Sequence, residues 1–236
     1  MIDNAGTHES CAVVIGASGG IGAALVERLT AEGGFTRIIA LGRATTPPLD
    51  LTSEPSIAAA AAAVAARPGA VRLVIDATGF LHGAGFAPEK SWREIDAAHM
   101  ATAFAINAIG PALLMKHFLP LLPRTGPAVF ATLSARVGSI GDNALGGWYS
   151  YRASKAALNQ LVRTAAIELA RGRPDAICVA LHPGTVATAL SAPFAKTNLE
   201  VRTPADAATA LLATIARLKP WDTGHFLDYA GQPIVW

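Results

Sequence analysis

The chain has 236 residues, a net charge of +2, 52% apolar and 15% charged residues, and alanine makes up about a fifth of it. That length suits one large α/β domain and buries a core without disulfide or metal staples. The balance excludes a disordered polar chain, and the absence of a Lys/Arg run argues against a nucleic-acid partner. Short β-rich runs then alternate with helical patterns. Cys11–Gly16 (CAVVIG) reads as a strand, and Ile21–Glu32 has helical spacing at Ile21, Leu25, Val26 and Leu29. Thr36–Leu41 is a second strand. Ser53 to Arg67 is an alanine-rich helix with Ser53 as N-cap, ended by Pro68-Gly69. Val71–Ala77 is a third strand, and Ser91 to Leu122 reads as one or two helices with a bend or break at Gly110-Pro111. Ala128–Leu133 is a strand, Tyr151 to Arg171 a long helix, Ile177–Leu181 a strand, and Pro204–Leu218 a helix capped by Thr203. Phe226–Tyr229 closes the pattern, which predicts right-handed βαβ units in a parallel sheet covered on both faces.

No stretch approaches the roughly 20 consecutive apolar residues of a membrane span. The opening MIDNAGTHES is polar and lacks a basic-then-apolar leader pattern. Cys11 and Cys178 sit in apolar runs and read as buried thiols rather than a disulfide framework. The expectation is a cytoplasmic chain of one domain, residues 1–236, with no membrane partner.

The first strand runs into Gly16-Ala17-Ser18-Gly19-Gly20-Ile21-Gly22 and then a helix. Glycines there let the backbone turn sharply and approach a pyrophosphate at the helix N-terminus. A dinucleotide site expects a ribose-selecting residue about 20 residues on. The second strand ends Leu41-Gly42-Arg43, with no acid before Asp50. A guanidinium suits a 2′-phosphate by charge and bidentate geometry, so Arg43 favours NADP(H), with NAD(H) the alternative.

Tyr151-Arg152-Ala153-Ser154-Lys155 opens the long helix, and residues i and i+4 share a face. A free tyrosine titrates near 10, and a nearby ammonium and the positive charge of an oxidised nicotinamide lower that value. The pair therefore suits proton transfer at an alcohol or carbonyl oxygen. Tyr149 has only Ala153 four residues on.

Together, G16-x-x-x-G20-x-G22, Asn107, Ser134, Y151-x-x-x-K155 and P183-G184 resemble the short-chain dehydrogenase/reductase family along essentially the whole chain. GGWYSYRASKAALN and HPGTV-x-T look most like its carbonyl-reductase-like members of the sniffer and C-factor type. The resemblance implies a single Rossmann-fold α/β domain, doubly wound, with a seven-stranded parallel sheet and helices on both faces. It implies reversible hydride transfer between NADP(H) and a small carbonyl/alcohol substrate, by a homodimer or homotetramer. It makes Tyr151 the acid–base, and Lys155 the partner of Tyr151 and of the nicotinamide ribose. Asn107 would support a helix kink and a proton relay, and Ser134 would donate to the substrate oxygen. Gly16, Ser18, Gly19, Gly20, Ile21 and Gly22 would hold the pyrophosphate, and Arg43, Asp50 and Leu51 the adenosine end. Ala77, Thr78 and Gly79 would line the cofactor. Pro183, Gly184, Val186 and Thr188 would shape the nicotinamide side. The alternative implication is a nucleotide-binding signalling module of C-factor type with little turnover.

The family's usual Asn-Asn-Ala-Gly reads Asp76-Ala77-Thr78-Gly79, so an acid replaces a neutral side chain. Ile15 precedes the first glycine where threonine is frequent, and Gly19 stands where many NADPH users carry Arg or Lys. The adjacent serine pair, of which the family uses the second, reads Ser134-Ala135, which leaves Ser139 as the fallback. The histidines show no metal-ligand spacing, and no metal is expected. His182, before Pro183, reads as packing. Asp96 and His99, three apart on a helix, read as a solvated face. Trp92, Trp148 and Trp221 are candidates for lining a substrate cleft, Trp148 foremost.

Overall fold

The computed structural model describes residues 9–83, 85–194 and 201–236. Its main sheet contains β1 (Ser10–Ile15), β2 (Arg37–Leu41), β3 (Ala70–Asp76), β4 (Ala128–Leu133), β5 (Ala176–His182) and a last strand, Phe226–Asp228. Two further short strands, β6 (Thr185–Val186) and β7 (Val201–Arg202), pair with each other, so the last strand is β8. The main sheet is parallel throughout, in the order β2-β1-β3-β4-β5-β8.

These six strands are the six apolar runs of the sequence; the seventh that the resemblance implied is absent from the main sheet. After β2 the chain passes through Thr46-Pro47-Pro48 directly to Asp50. Two prolines supply no ladder N–H, so no strand forms there.

The helices are α1 (Gly20–Glu32), α2 (Glu54–Ala65), α3 (Ala97–Phe104), α4 (Gly110–Phe118), α5 (Tyr149–Gly172) and α6 (Pro204–Ile215). Strand alternation sorts the core into two layers. Cys11, Val13 and Ile15 face a cluster with Ile57 of α2, Leu114 and Phe118 of α4, and Leu158 and Val162 of α5. Ala12 and Val14 face Leu25 and Leu29 of α1 and Leu211, Leu212 and Ile215 of α6. Helices therefore cover both faces, as expected for a doubly wound sheet.

Helix ends follow their side chains. Ser53 accepts from the Ser56 N–H at 3.4 Å and caps α2, and Thr203 accepts from the Asp206 N–H at 3.1 Å and caps α6. The segment expected to bend at Gly110-Pro111 is continuous: a π turn, Ala105–Ile109, joins α3 to α4. The run Ala97–Leu121 is long and apolar enough to cross a membrane by length and composition. Its α4 portion packs Leu114, Met115 and Phe118 into the core layer that α2 and α5 share.

The chain leaves β1 toward β2 on one side and later toward β3 on the other. This reversal opens a crevice beyond the carboxyl ends of β1 and β3, where such sheets bind ligands.

Candidate active site

Several chain segments far apart in sequence meet at that crevice. The first is the glycine turn. Gly16 has φ +81°, a left-handed conformation that favours glycine. A Cβ on Gly22 would lie 2.1 Å from the Gly16 carbonyl oxygen, so only glycine lets α1 start this close to the turn. Gly19 is the N-cap of α1, with no side-chain cap and no acidic residue in the first turn. The amide groups there are left for an anion.

The β2 end supplies Arg43, which is exposed. Asp50 accepts from both the N–H and the hydroxyl of Thr52, at 2.9 and 2.8 Å, which holds its carboxyl below the usual range. Leu51 packs against Gly110, where a Cβ would come within 2.9 Å of the Leu51 Cβ.

The β3 end brings Ala77, Thr78 and Gly79. The Ala77 N–H bonds the Ile15 carbonyl at 2.9 Å, and Thr78 lies over Gly16. A Cβ on Gly79 would lie 3.9 Å from each of Asn107 Oδ1, Lys155 Nζ and Leu190 Cδ2, so Gly79 marks the place where these groups converge.

Asn107 sits fully buried in the π turn, a deviation frequent at functional sites. Its amide accepts from the Phe80 N–H at 2.8 Å, donates to the Phe80 carbonyl at 2.7 Å and donates to Ser154 Oγ at 3.1 Å. Ser154 in turn donates to the Tyr151 carbonyl at 2.9 Å, so Asn107 ties the segment after β3 to the first turn of α5.

Tyr151 and Lys155 lie on one face of α5, with the Lys155 ammonium 6.0 Å from the Tyr151 ring centre. The ammonium donates to the Leu133 carbonyl at 2.8 Å. Burial pushes the Tyr151 phenol up to about 12. Proximity of a cation predicts the opposite direction; at this separation burial prevails. Burial likewise brings Lys155 down to about 8, with Asp76 acting against that fall.

Ser134 and Ser139 are both buried, 4% and 1% exposed, and differ in their partners. The Ser134 hydroxyl donates to Asn159 Oδ1 at 2.7 Å, two turns beyond Tyr151 on α5. Ser139 instead accepts the Asp142 N–H at 3.1 Å, which leaves its own hydroxyl proton without a partner among the described residues. It follows Gly138, which packs so tightly on α5 that a Cβ would lie 2.8 Å from the Lys155 Cβ.

The last segment is the loop after β5. Gly184 has φ +81° and lies against the Tyr229 ring. Pro183 and Val186 are buried beside it. Thr188 reaches the first turn of α1, where a Cβ on Gly20 would come within 2.9 Å of its methyl. His182 is half-buried and held down to about 4, first by burial and then by Arg136, against Asp228.

Trp148 has φ 54° and sits 6.2 Å from the Tyr151 ring and 5.4 Å from that of Phe194, which contacts His82 at 5.4 Å. An aromatic wall thus flanks Tyr151. Trp92 and Trp221, the other cleft candidates, stand 65% and 74% exposed. The segment between Phe194 and Thr203, where a substrate lid is expected, falls mostly outside the described residues.

The sequence reading of Asp96 and His99 as a solvated face holds for Asp96, which is exposed, and fails for His99. Asp96 caps α3 by accepting the His99 N–H at 2.7 Å. His99 is buried, stacks on Phe86 at 4.9 Å and places Nδ1 3.3 Å from Glu89 Oε1. Glu89, also buried, accepts from the Ser150 N–H at 3.2 Å and from the Ser150 hydroxyl, while its carbonyl accepts the Trp148 N–H at 2.5 Å. It therefore caps the helix that carries Tyr151. Nothing in the local sequence around Glu89 announces this, because its partner lies 61 residues away.

A family model described as "Enoyl-(Acyl carrier protein) reductase" matches residues 16–217. The chain is 34% identical over 200 residues to 1-hydroxy-2-glutathionyl-2-methyl-3-butene dehydrogenase of Rhodococcus sp., covering 84% of this chain and 83% of that protein. It is 38% identical over 145 residues to C-signal of Myxococcus xanthus, covering 61% of this chain and 82% of that one. Among solved structures, NADPH-bound carbonyl reductase from chicken fatty liver superposes with a TM-score of 0.80 at 28% identity, covering 97% of this chain and 99% of the other.

Proposed function

The chain belongs to the short-chain dehydrogenase/reductase family, and from that premise we propose that it is an NADP(H)-dependent oxidoreductase acting on a small carbonyl/alcohol pair. The observation that carries the reading is the Tyr151–Lys155 pair on one face of α5, facing the glycine turn across Gly79. When bound, the dinucleotide supplies or accepts the hydride.

The chain's own groups do the rest. The first-turn amides of Gly20, Ile21 and Gly22, with the turn of Gly16, Ser18 and Gly19, suit the pyrophosphate, and Thr188 closes over them. Arg43 meets the 2′-phosphate, with Asp50 and Leu51 toward the adenine. Ala77, Thr78 and Gly79 line the floor, and Pro183, Gly184 and Val186 the nicotinamide side. Lys155 has three N–H donors and one protein acceptor, which leaves donors for ribose hydroxyls.

Tyr151 is protonated at neutral pH and donates its proton to the substrate oxygen in the reductive direction. Asn107 holds the first turn of α5 through Ser154. Because Asn159 takes the Ser134 proton, we assign the donor to the substrate oxygen to Ser139, and to Ser134 the tie between β4 and α5. Trp148 and Phe194 face the substrate. The same reading places the enzyme in the cytoplasm, where Cys11 and Cys178 stay thiols. It also makes a homodimer or homotetramer, with the groove between Met115 and Leu119 of the α4 segment and Leu161 and Ala165 of α5 as its contact face.

The test is loss of NADPH absorbance with a panel of aliphatic and aromatic aldehydes and ketones. Tyr151→Phe lowers turnover by about 10²–10⁴-fold while NADPH affinity is unchanged. Tight NADPH binding with no turnover of any carbonyl refutes the reductase reading in favour of a signalling module.

A further inference from the structure

Asp76 is a buried acid for which the reaction scheme has no use. It ends β3, is 1% exposed, and lies in register with Thr132 of β4. Its Oδ1 accepts from the Thr78 N–H at 3.0 Å and the Thr78 hydroxyl at 2.5 Å, and its Oδ2 accepts from the Thr132 hydroxyl at 2.7 Å. Three donors thus converge on the two oxygens, and a carboxylate accepts all of them. Burying a carboxylate is costly unless an opposite charge compensates it.

The cation available is Lys155, itself 3% exposed, whose ammonium is anchored on the carbonyl of Leu133, the residue after Thr132. The Asp76 carboxylate favours the Lys155 ammonium and the ammonium favours the carboxylate, with no ion pair between the two among the described residues. The other groups around Lys155 are Tyr151 on its own helix, protonated at neutral pH, and the neutral Asn107 of the π turn. Arg136, His182 and Asp228 interact among themselves at the β5–β8 end.

We propose that Asp76 is an electrostatic positioning residue for the Tyr151–Lys155 pair, keeping Lys155 an ammonium in a site that otherwise favours the neutral amine. The proposal rests on the reductase reading only for its effect on turnover. Burial pushes the Asp76 carboxyl up, and Lys155 works against that rise together with the threonine hydrogen bonds. The acid takes the place of a neutral family residue, so Asp76→Asn removes the charge and keeps the shape.

The chain has five lysines, so the Cε resonance of Lys155 is assignable in carbon-13-lysine protein by comparison with Lys155→Arg. In Asp76→Asn, Lys155 loses its proton about one pH unit or more lower than in the unsubstituted protein. The alkaline limb of NADPH-dependent benzaldehyde reduction moves the same way. A loss of stability alone moves neither. An unchanged Lys155 titration overturns the proposal. A shifted titration in a protein that reduces no aldehyde upholds it and removes the reductase reading instead. Should Asp76→Asn not fold, Lys155→Met gives the reciprocal test: the Asp76 carboxyl takes up its proton at higher pH, and an unchanged carboxyl titration overturns the proposal equally.

Discussion

Replacing Glu89 by alanine tests whether its carboxylate holds the helix that carries Tyr151. The substitution strands three buried donors: the Ser150 N–H, the Ser150 hydroxyl and His99 Nδ1. At about 1 kcal/mol or more for each unsatisfied group, the cost is about 3 kcal/mol. At roughly 2–4 °C per kcal/mol for a protein of this size, Tm falls by about 6–12 °C. The main-chain bond from the Trp148 N–H to the Glu89 carbonyl survives the substitution, so the loss reads the carboxylate alone. Melting curves and urea titrations of Glu89→Ala, Ser150→Ala and the double variant measure the coupling. The double variant loses less than the sum of the single ones, because both single changes break the bond between the Glu89 carboxylate and the Ser150 hydroxyl. Strict additivity, or a Tm shift below about 2 °C for Glu89→Ala, refutes the reasoning. Acidity supplies a second readout. Burial raises the Glu89 carboxyl, but the Ser150 hydrogen bonds and His99 prevail and leave it below its usual range. Its folded pKa is thus depressed, and the stability it gives is present above the unfolded carboxylate range and lost as pH falls through the folded value. Glu89→Gln removes that part of the acid sensitivity.

Gly22→Ala puts a Cβ 2.1 Å from the Gly16 carbonyl oxygen and forces the turn apart, at a cost of about 1–3 kcal/mol as for other overpacked sites. If the displacement falls on the nucleotide cradle, NADPH affinity drops by about 5–150-fold by titration. Gly34→Ala, which meets nothing within 4 Å, leaves affinity unchanged. Ser139→Ala lowers kcat for aldehyde reduction by at least tenfold with Tm nearly constant, whereas Ser134→Ala lowers Tm more than kcat. The reverse pattern reinstates Ser134 as the donor to the substrate oxygen.

Local signals made much of this site legible. A glycine cluster between a strand and a helix, a tyrosine and lysine one turn apart, and a basic residue ending the second strand each act within a few residues. Strand period reaches the serine as well. Ser134 shares parity with Thr132 and Phe130, which face the layer of α4 and α5, so its inward course was readable. The bond of Glu89 to Ser150 and the stacking of His99 on Phe86 depend on how separate segments fold back, and spacing on one helix misassigned His99 to solvent. The continuous helix through Gly110-Pro111 was hidden for a related reason. A π turn that keeps Asn107 on the core side is settled by packing and by Phe80, not by the helix's own propensities. The missing seventh strand was implied only by resemblance, and the two prolines after β2 already opposed it.

The central claim is that the glycine turn, Arg43 and the Tyr151–Lys155 pair form an NADP(H) site, and parallel titrations of the purified protein with NADPH and NADH test it most directly. The account predicts that NADPH binds at least about tenfold more tightly, a difference of about 1.4 kcal/mol, and that Arg43→Ala erases the preference while leaving NADH affinity nearly unchanged. Binding of neither nucleotide contradicts the account.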